Sequence, residues 1–216
     1  MSSTTLAGDP VFEGVYGPFS ITALDRREVL GYRLALLTVA IAQAALLAQW
    51  HWLGDGALWP WLLPMAAGLG LALRWIHIYL RPLHLALQLF WLVGCLGFVA
   101  LGLAVGPGTM AASLATNGRW IWAVGPFFAA LAGIGFKEFF CFRRPEAIGV
   151  TLLLPLALLG HLSGLLEAGI TGALLALEAT LLLLLTLRKF PMPAAADVGD
   201  KSVFAYLEGQ RQPSKA

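Results

Sequence analysis

From Gly135 to Ala147 the chain reads GFKEFFCFRRPEA, five charged side chains in thirteen residues. On either side it is almost wholly apolar, from Trp120 to Phe136 and from Ile148 to Leu166. Charge confined between two such runs predicts two helices crossing an apolar layer, joined by a turn in water. Lys137 and Glu138 end the first helix, and Arg143, Arg144 and Glu146 make the turn. Pro145 suits the first turn of the second helix, where its missing N–H costs nothing. Glu146 then lies by that helix's positive end.

The rest of the chain has the same character. Of 216 residues, 59% are hydrophobic and only 12% charged, with mean hydropathy +0.78. Soluble domains carry about 25% charged residues, so the solvent for this surface is lipid and the partner is the bilayer. A net charge of +2 gives no basis for nucleic-acid binding. Cys95 and Cys141 are too few for a disulfide framework, and no CxxC pair is present. The first residues lack the basic stretch of a cleavable signal peptide, and the first apolar run, after residue 30, reads as a retained anchor.

A spanning helix needs roughly 20 mostly apolar residues. Six segments qualify: Tyr32–Trp52, Ala57–Leu73, Leu83–Val105, Trp120–Phe140, Ala147–Leu166 and Ala168–Leu187. The second is short, and the last two form a tight hairpin around Glu167. The expected architecture is therefore an all-α, polytopic bundle of six transmembrane helices. With six spans, thirteen of the fourteen basic residues share one side and only Arg119 lies on the other, which makes both termini cytoplasmic, or stromal in a thylakoid. Thr22 followed by Asp25 resembles a capping box, starting the first helix near Ala23, before the lipid. Three regions result: a cytoplasmic segment over 1–22, the membrane domain over 23–190, and a polar tail over 191–216 expected to be mostly disordered. A weak repeat places Pro82 on Pro145 and Arg81 on Arg144, at an offset of 63, so that two hairpins of parallel orientation echo each other.

Few residues are candidates for chemistry. Glu178 lies about ten residues into the last span, near mid-membrane, where a carboxylate is expensive and points either to function or to protonated interhelical glue. Gln43 lies at similar depth and can donate to it. The turn RWIHIYLRPLH holds His77 and His84 beside Arg74 and Arg81. Histidine there can ligate metal or haem, although a spacing of seven with Pro82 between is no ready chelate, so interface polarity is the preferred reading. Lys137, Arg143, Arg144 and the matching Arg74 and Arg81 fit either an anionic headgroup or ordinary positive-inside charge. Lys137 and Cys141 share a helix face, but a single basic neighbour leaves Cys141 a structural thiol. Lys137 and Glu138, adjacent and about 100° apart, are not expected to pair simply. No catalytic motif and no metal signature is recognisable, and the cofactor, if any, is unknown.

The order YGPFSITALDRREVLGYR, RWIHIYLRPLHLALQ and GIGFKEFFCFRRPEA resembles an uncharacterised family of integral membrane proteins found mainly in cyanobacteria and plant plastids. The resemblance covers about Tyr16 to Leu187, FKEFFCF being its most specific element. It implies a thylakoid or plasma membrane location and brings no residue roles. Three functional classes remain: a non-enzymatic accessory or assembly protein binding lipid, pigment, another membrane protein or itself; a small transporter using Glu178; and a membrane enzyme or redox carrier using His77, His84 and Cys141.

Overall fold

The computed structural model describes residues 9–54 and 56–211. A two-stranded antiparallel hairpin, β1 (Val11–Gly14) and β2 (Gly17–Ser20), precedes the helices. These are α1 (Ala23–Leu53), α2 (Trp59–Trp75), α3 (Arg81–Val105), α4 (Met110–Thr116), α5 (Ile121–Phe142), α6 (Pro145–Leu162), α7 (Ala168–Leu187), α8 (Ala194–Val198) and α9 (Lys201–Arg211), with a 3-10 turn at Gly118–Trp120. The capping box is present: Thr22 Oγ1 accepts from the Asp25 N–H, and the Asp25 carboxylate accepts from the Thr22 N–H at 2.7 Å. Pro82 and Pro145 both stand in the first turn of their helices.

Five helices are long and apolar enough to cross a membrane: α1, α3, α5 with the turn before it, α6 and α7. Helix α2 has 17 residues, about 26 Å at 1.5 Å per residue, short of a ~30 Å hydrocarbon core. It packs on α1, where a Cβ on Gly68 would come within 2.8 Å of the Ala35 carbonyl. Helix α1 also packs on α7, α7 on α6, α6 on α5, and α5 on α3. At the α3–α5 crossing a Cβ on Gly97 would overlap the Ala123 carbonyl, so the two backbones touch. The core runs through Leu36, Val39, Leu69, Leu101, Phe127, Leu131, Leu154 and Leu182. Large apolar side chains also cover the outside, among them Leu85, Leu89, Leu96 and Leu103 on α3 and Leu152, Leu156 and Leu159 on α6. Only a lipid environment makes such an exterior favourable.

Three expectations differ from the observed fold. The fifth span stops at Leu162, and residues 163–167 form the turn into α7. The two hairpins of the repeat do not share their packing: α5 lies along α6, whereas α2 is held mainly by α1 and touches α3 little. The tail expected to be disordered is helical over α8 and α9 and folds back on the N-terminal segment, while residues 212–216, like 1–8, lie outside the described residues. It folds because it has something to bury. Val198 packs with Ile21 and Val29 in a small second core.

The tail and the hairpin are clasped by hydrogen bonds. The Asp200 carboxylate accepts from the Val15 N–H at 2.7 Å and from Ser202 Oγ at 2.6 Å, and Ser202 Oγ accepts from the Tyr16 N–H at 3.0 Å. Tyr16 stacks on Tyr206 at 3.9 Å, and the Asp200 N–H donates to the Tyr79 hydroxyl. The Ser202 hydroxyl first, then the Val15 N–H, holds the Asp200 carboxyl below its usual 3.8. A carboxyl lowered by folding contributes stability above its unfolded value and loses it as pH falls through the lowered one. The Val15 amide resonance is therefore expected to titrate with a midpoint below 3.8, and Asp200→Asn to abolish that titration.

Candidate functional site

Two polar sites interrupt the apolar bundle. The first lies at the end where the two described ends of the chain meet. Glu138 is fully buried. Its Oε1 accepts from the Tyr32 hydroxyl at 2.6 Å and from Lys137 Nζ at 3.2 Å, and its Oε2 from Lys189 Nζ at 2.6 Å. Lys189 reaches on to Asp197 Oδ1 at 2.5 Å. Asp197 Oδ2 accepts from Arg33 Nε and Nη2 at 2.8 and 2.6 Å, and Arg33 Nη1 also donates to the Met192 carbonyl. Both lysine ammonium groups stand over the Tyr32 and Phe142 rings, Lys189 at 4.5 Å from Phe142.

Helices α1, α5 and α8 and the residue two beyond α7 thus meet in one cluster, and each of its five charged members is buried. Removing a partner from ion pairs so dry is costly where it leaves a buried charge uncompensated. The expectation that Lys137 and Glu138 do not pair is corrected here. Burial brings the adjacent side chains round to one another, because neither has water to turn to. Glu138 is thus a structural hub. Arg33, Tyr32, Lys189 and Asp197 escaped the list of sequence candidates. Arg33 and Lys189 were legible only as positive charge at span ends, and Asp197 only as part of a polar tail.

The second site lies midway along α7. Glu178 is fully buried, and Gln43 on α1, 3% exposed, donates from Nε2 to Glu178 Oε2. The depth match read from the sequence is thus a direct contact. Gln43 Oε1, Glu178 Oε1 and Thr171 Oγ1 are buried without a hydrogen-bond partner among the described residues. Gln43 and Thr171 border an apolar cavity of about 100 Å³ at the bundle's other end, walled also by Trp50, Met65, Met110 and Phe128. Helix α4, which the sequence reading did not anticipate, closes it, tied down by His161 Nε2 donating to the Leu114 carbonyl at 2.8 Å. A cleft of about 520 Å³ between α1 and α7 shares Leu47, Trp50 and Ala168 with it.

The other candidates stand apart. His84 Nε2 donates to the Leu73 carbonyl at 2.6 Å, which ties it to α2. His77 edges onto Phe204, and burial pushes its imidazole below the usual range, so it is neutral near pH 7. Among the described residues, Asp25, Glu28 and His77 offer ligand atoms within 4.8 Å of one another. Asp25 is already engaged by Lys201 at 2.9 Å and by Thr22, and His84 is no part of the group. Arg74, Arg81, Arg143 and Cys141 are exposed. Arg143 ends α5 in the left-handed region, at φ 50°. Arg144 reaches Glu146 at 3.5 Å and Met192 Sδ at 3.1 Å, and Arg188 Nη1 donates to Glu146 at 2.9 Å. Local ion pairing accounts for much of the opening stretch's charge.

Apolar exterior, apolar core and confined charge together define an integral membrane protein with several membrane-crossing helices. The model of the uncharacterized integral membrane protein family DUF2301 matches residues 71–206, more than half of the chain, and the protein belongs to that family. No curated protein and no solved structure matches it.

Proposed function

We propose that this is a six-span protein with both ends on the cytoplasmic side, a non-enzymatic accessory protein that holds an apolar membrane molecule in the outer half of its bundle. An odd number of crossings separates the two ends of a chain. Here Val15 and Tyr16 are hydrogen-bonded to Asp200 and Ser202, which supports an even count with α2 as the sixth span. The orientation rests on charge: among the described lysines and arginines only Arg119 lies at the far end.

The observation that carries the function is the cavity behind α4. Its wall is apolar, its size suits part of a chain or ring, and the cleft between α1 and α7 gives lateral access from lipid. Apolar pockets with a few convergent polar groups are the usual form of a small-molecule site. Transport is the second reading. Glu178 favours it, as an acid midway along a span without an ion-pair partner among the described residues.

The test is purification in mild detergent from the native membrane, with mass spectrometry of what is extracted. An apolar species near one per chain is expected, and Ala115→Phe, which places a ring at the cavity wall, is expected to remove most of it. If wild type and variant both carry nothing beyond bulk lipid, the binding reading fails. If, in addition, Glu178→Gln then stops solute movement in proteoliposomes, transport replaces it.

A further inference from the structure

We infer that Asp25, Glu28 and His77 form a site for a divalent transition-metal ion of the zinc class, over which Lys201 stands as a built-in competitor. The site lies at the end of the bundle where the two described ends of the chain meet, and it is independent of the cavity. Asp25 and Glu28, three residues apart, share one face of the first turns of α1. His77 comes from the segment between α2 and α3. Each residue offers a ligand atom, and the three atoms lie within 4.8 Å of one another. Bonds of about 2.0–2.2 Å to zinc set ligand atoms roughly 3.5 Å apart in a tetrahedron. Glu28 and His77 are both half-buried, so turns about their side-chain torsions close the difference.

Two of the three groups are otherwise unengaged. Among the described residues Glu28 has no hydrogen bond and no ion pair, and His77 has only its ring contact with Phe204. A neutral imidazole is the form that ligates a metal. Asp25 divides its oxygens. Its Oδ2 accepts from the Thr22 N–H and hydroxyl at 2.7 and 2.8 Å, whereas Oδ1 accepts only from Lys201, at 3.2 Å. An ion can therefore replace the ammonium at Asp25 while the capping box stays closed. The exchange costs little, because the Lys201 side chain is 28% exposed and ion pairs open to water are weak. Charge favours it as well. The two carboxylates carry two negative charges, of which Lys201 offsets one, and a divalent ion balances both.

The ligand set selects the ion. One imidazole with two carboxylates suits Zn²⁺ and its first-row neighbours, whereas Mg²⁺ and Ca²⁺ prefer oxygen throughout. Three protein ligands leave a fourth position for water, as in open zinc sites. Helix α9 reaches the site at two points: Lys201 begins the helix, and Phe204, one turn on, edges onto His77 at 6.3 Å. Bound ion and docked α9 thus draw on the same two residues, so each weakens the other by the same factor.

The test uses the full-length protein in detergent, stripped with a chelator, then titrated with Zn²⁺ by calorimetry and with Co²⁺ by visible absorption. One saturable Zn²⁺ per chain is expected, with Co²⁺ bands of nitrogen and oxygen ligation and no thiolate charge transfer. His77→Ala and Glu28→Gln are each expected to weaken Zn²⁺ about tenfold or more while leaving the metal-free melt unchanged. Lys201→Gln, which removes the competitor, is expected to tighten Zn²⁺ by up to about fivefold, the ~1 kcal/mol upper end of an exposed ion pair. Absence of saturable Zn²⁺ from both wild type and Lys201→Gln overturns the site. So does unchanged binding in His77→Ala and Glu28→Gln, or a thiolate band, which places the ion at a cysteine instead. Unchanged affinity in Lys201→Gln overturns the competition with α9.

Discussion

Replacing Glu138 by Gln is expected to destabilise the protein by about 3–5 kcal/mol, the cost of removing one partner from a buried ion cluster. Lys189 and Lys137 would then face each other across Tyr32 and Phe142 with only Asp197 to balance them. The lysines are not equivalent. Lys189 bonds both acids at 2.6 and 2.5 Å, whereas Lys137 makes one contact at 3.2 Å to an oxygen shared with Tyr32. The cluster has three cations, Arg33, Lys137 and Lys189, against two acids. Lys189→Met removes the one cation bonded to both acids, leaving Glu138 to Lys137 and Tyr32 and Asp197 to Arg33, and is expected to cost clearly more than Lys137→Met. Lys137→Met removes a single 3.2 Å contact and leaves Glu138 bonded to Lys189 and Tyr32, and is expected to cost under about 1 kcal/mol. Thermal melts of the three variants in detergent check the order. Equal losses for the two lysines would mean that the Lys189 bridge between Glu138 and Asp197 does not hold the cluster together.

Gly97→Val is expected to prevent a folded bundle. Overpacking a core by a methylene or two costs about 1–3 kcal/mol when side chains can shift, but a Cβ at Gly97 meets the Ala123 carbonyl and has no rotamer to escape into. Helices α3 and α5 would have to separate, and Gly94, packed against the Phe127 backbone, would separate with them. Gly172→Ala is the control. It lies in α7, also in a spanning helix, and nothing lies within 4 Å of an added Cβ, so it is expected to leave the melt unchanged or slightly raised. Monodispersity on gel filtration separates the two outcomes.

The elements that follow from a single helix's own pattern were legible in the sequence. Apolar runs located the long helices, Thr22 and Asp25 located the start of α1, and counting residues from span ends put Gln43 and Glu178 at one depth. What escaped depends on the chain returning to itself. The Arg33–Asp197 pair joins residues 164 apart, and the sequence offers no sign that a tail rich in Ala, Pro and Asp docks on α1. Arg33 and Lys189 were hidden because span-end cations are so well explained by topology that burial was not sought. Helix α4 escaped because seven residues are too few for periodicity to register, yet without it the cavity has no roof. The unsatisfied oxygens beside Gln43 and Glu178 exist only in three dimensions.

The sidedness of the bundle is the claim on which both sites depend, since it puts the ion cluster at the cytoplasmic face and the cavity in the outer half. Single cysteines placed by Gly108→Cys and Gly209→Cys, on a background with Cys95→Ser and Cys141→Ser, report it in intact cells. Neither glycine has a heavy atom within 4 Å of an added Cβ. A membrane-impermeant maleimide is expected to react at position 108 from outside, and at position 209 only after permeabilisation. Reaction of both from the same side would contradict six crossings.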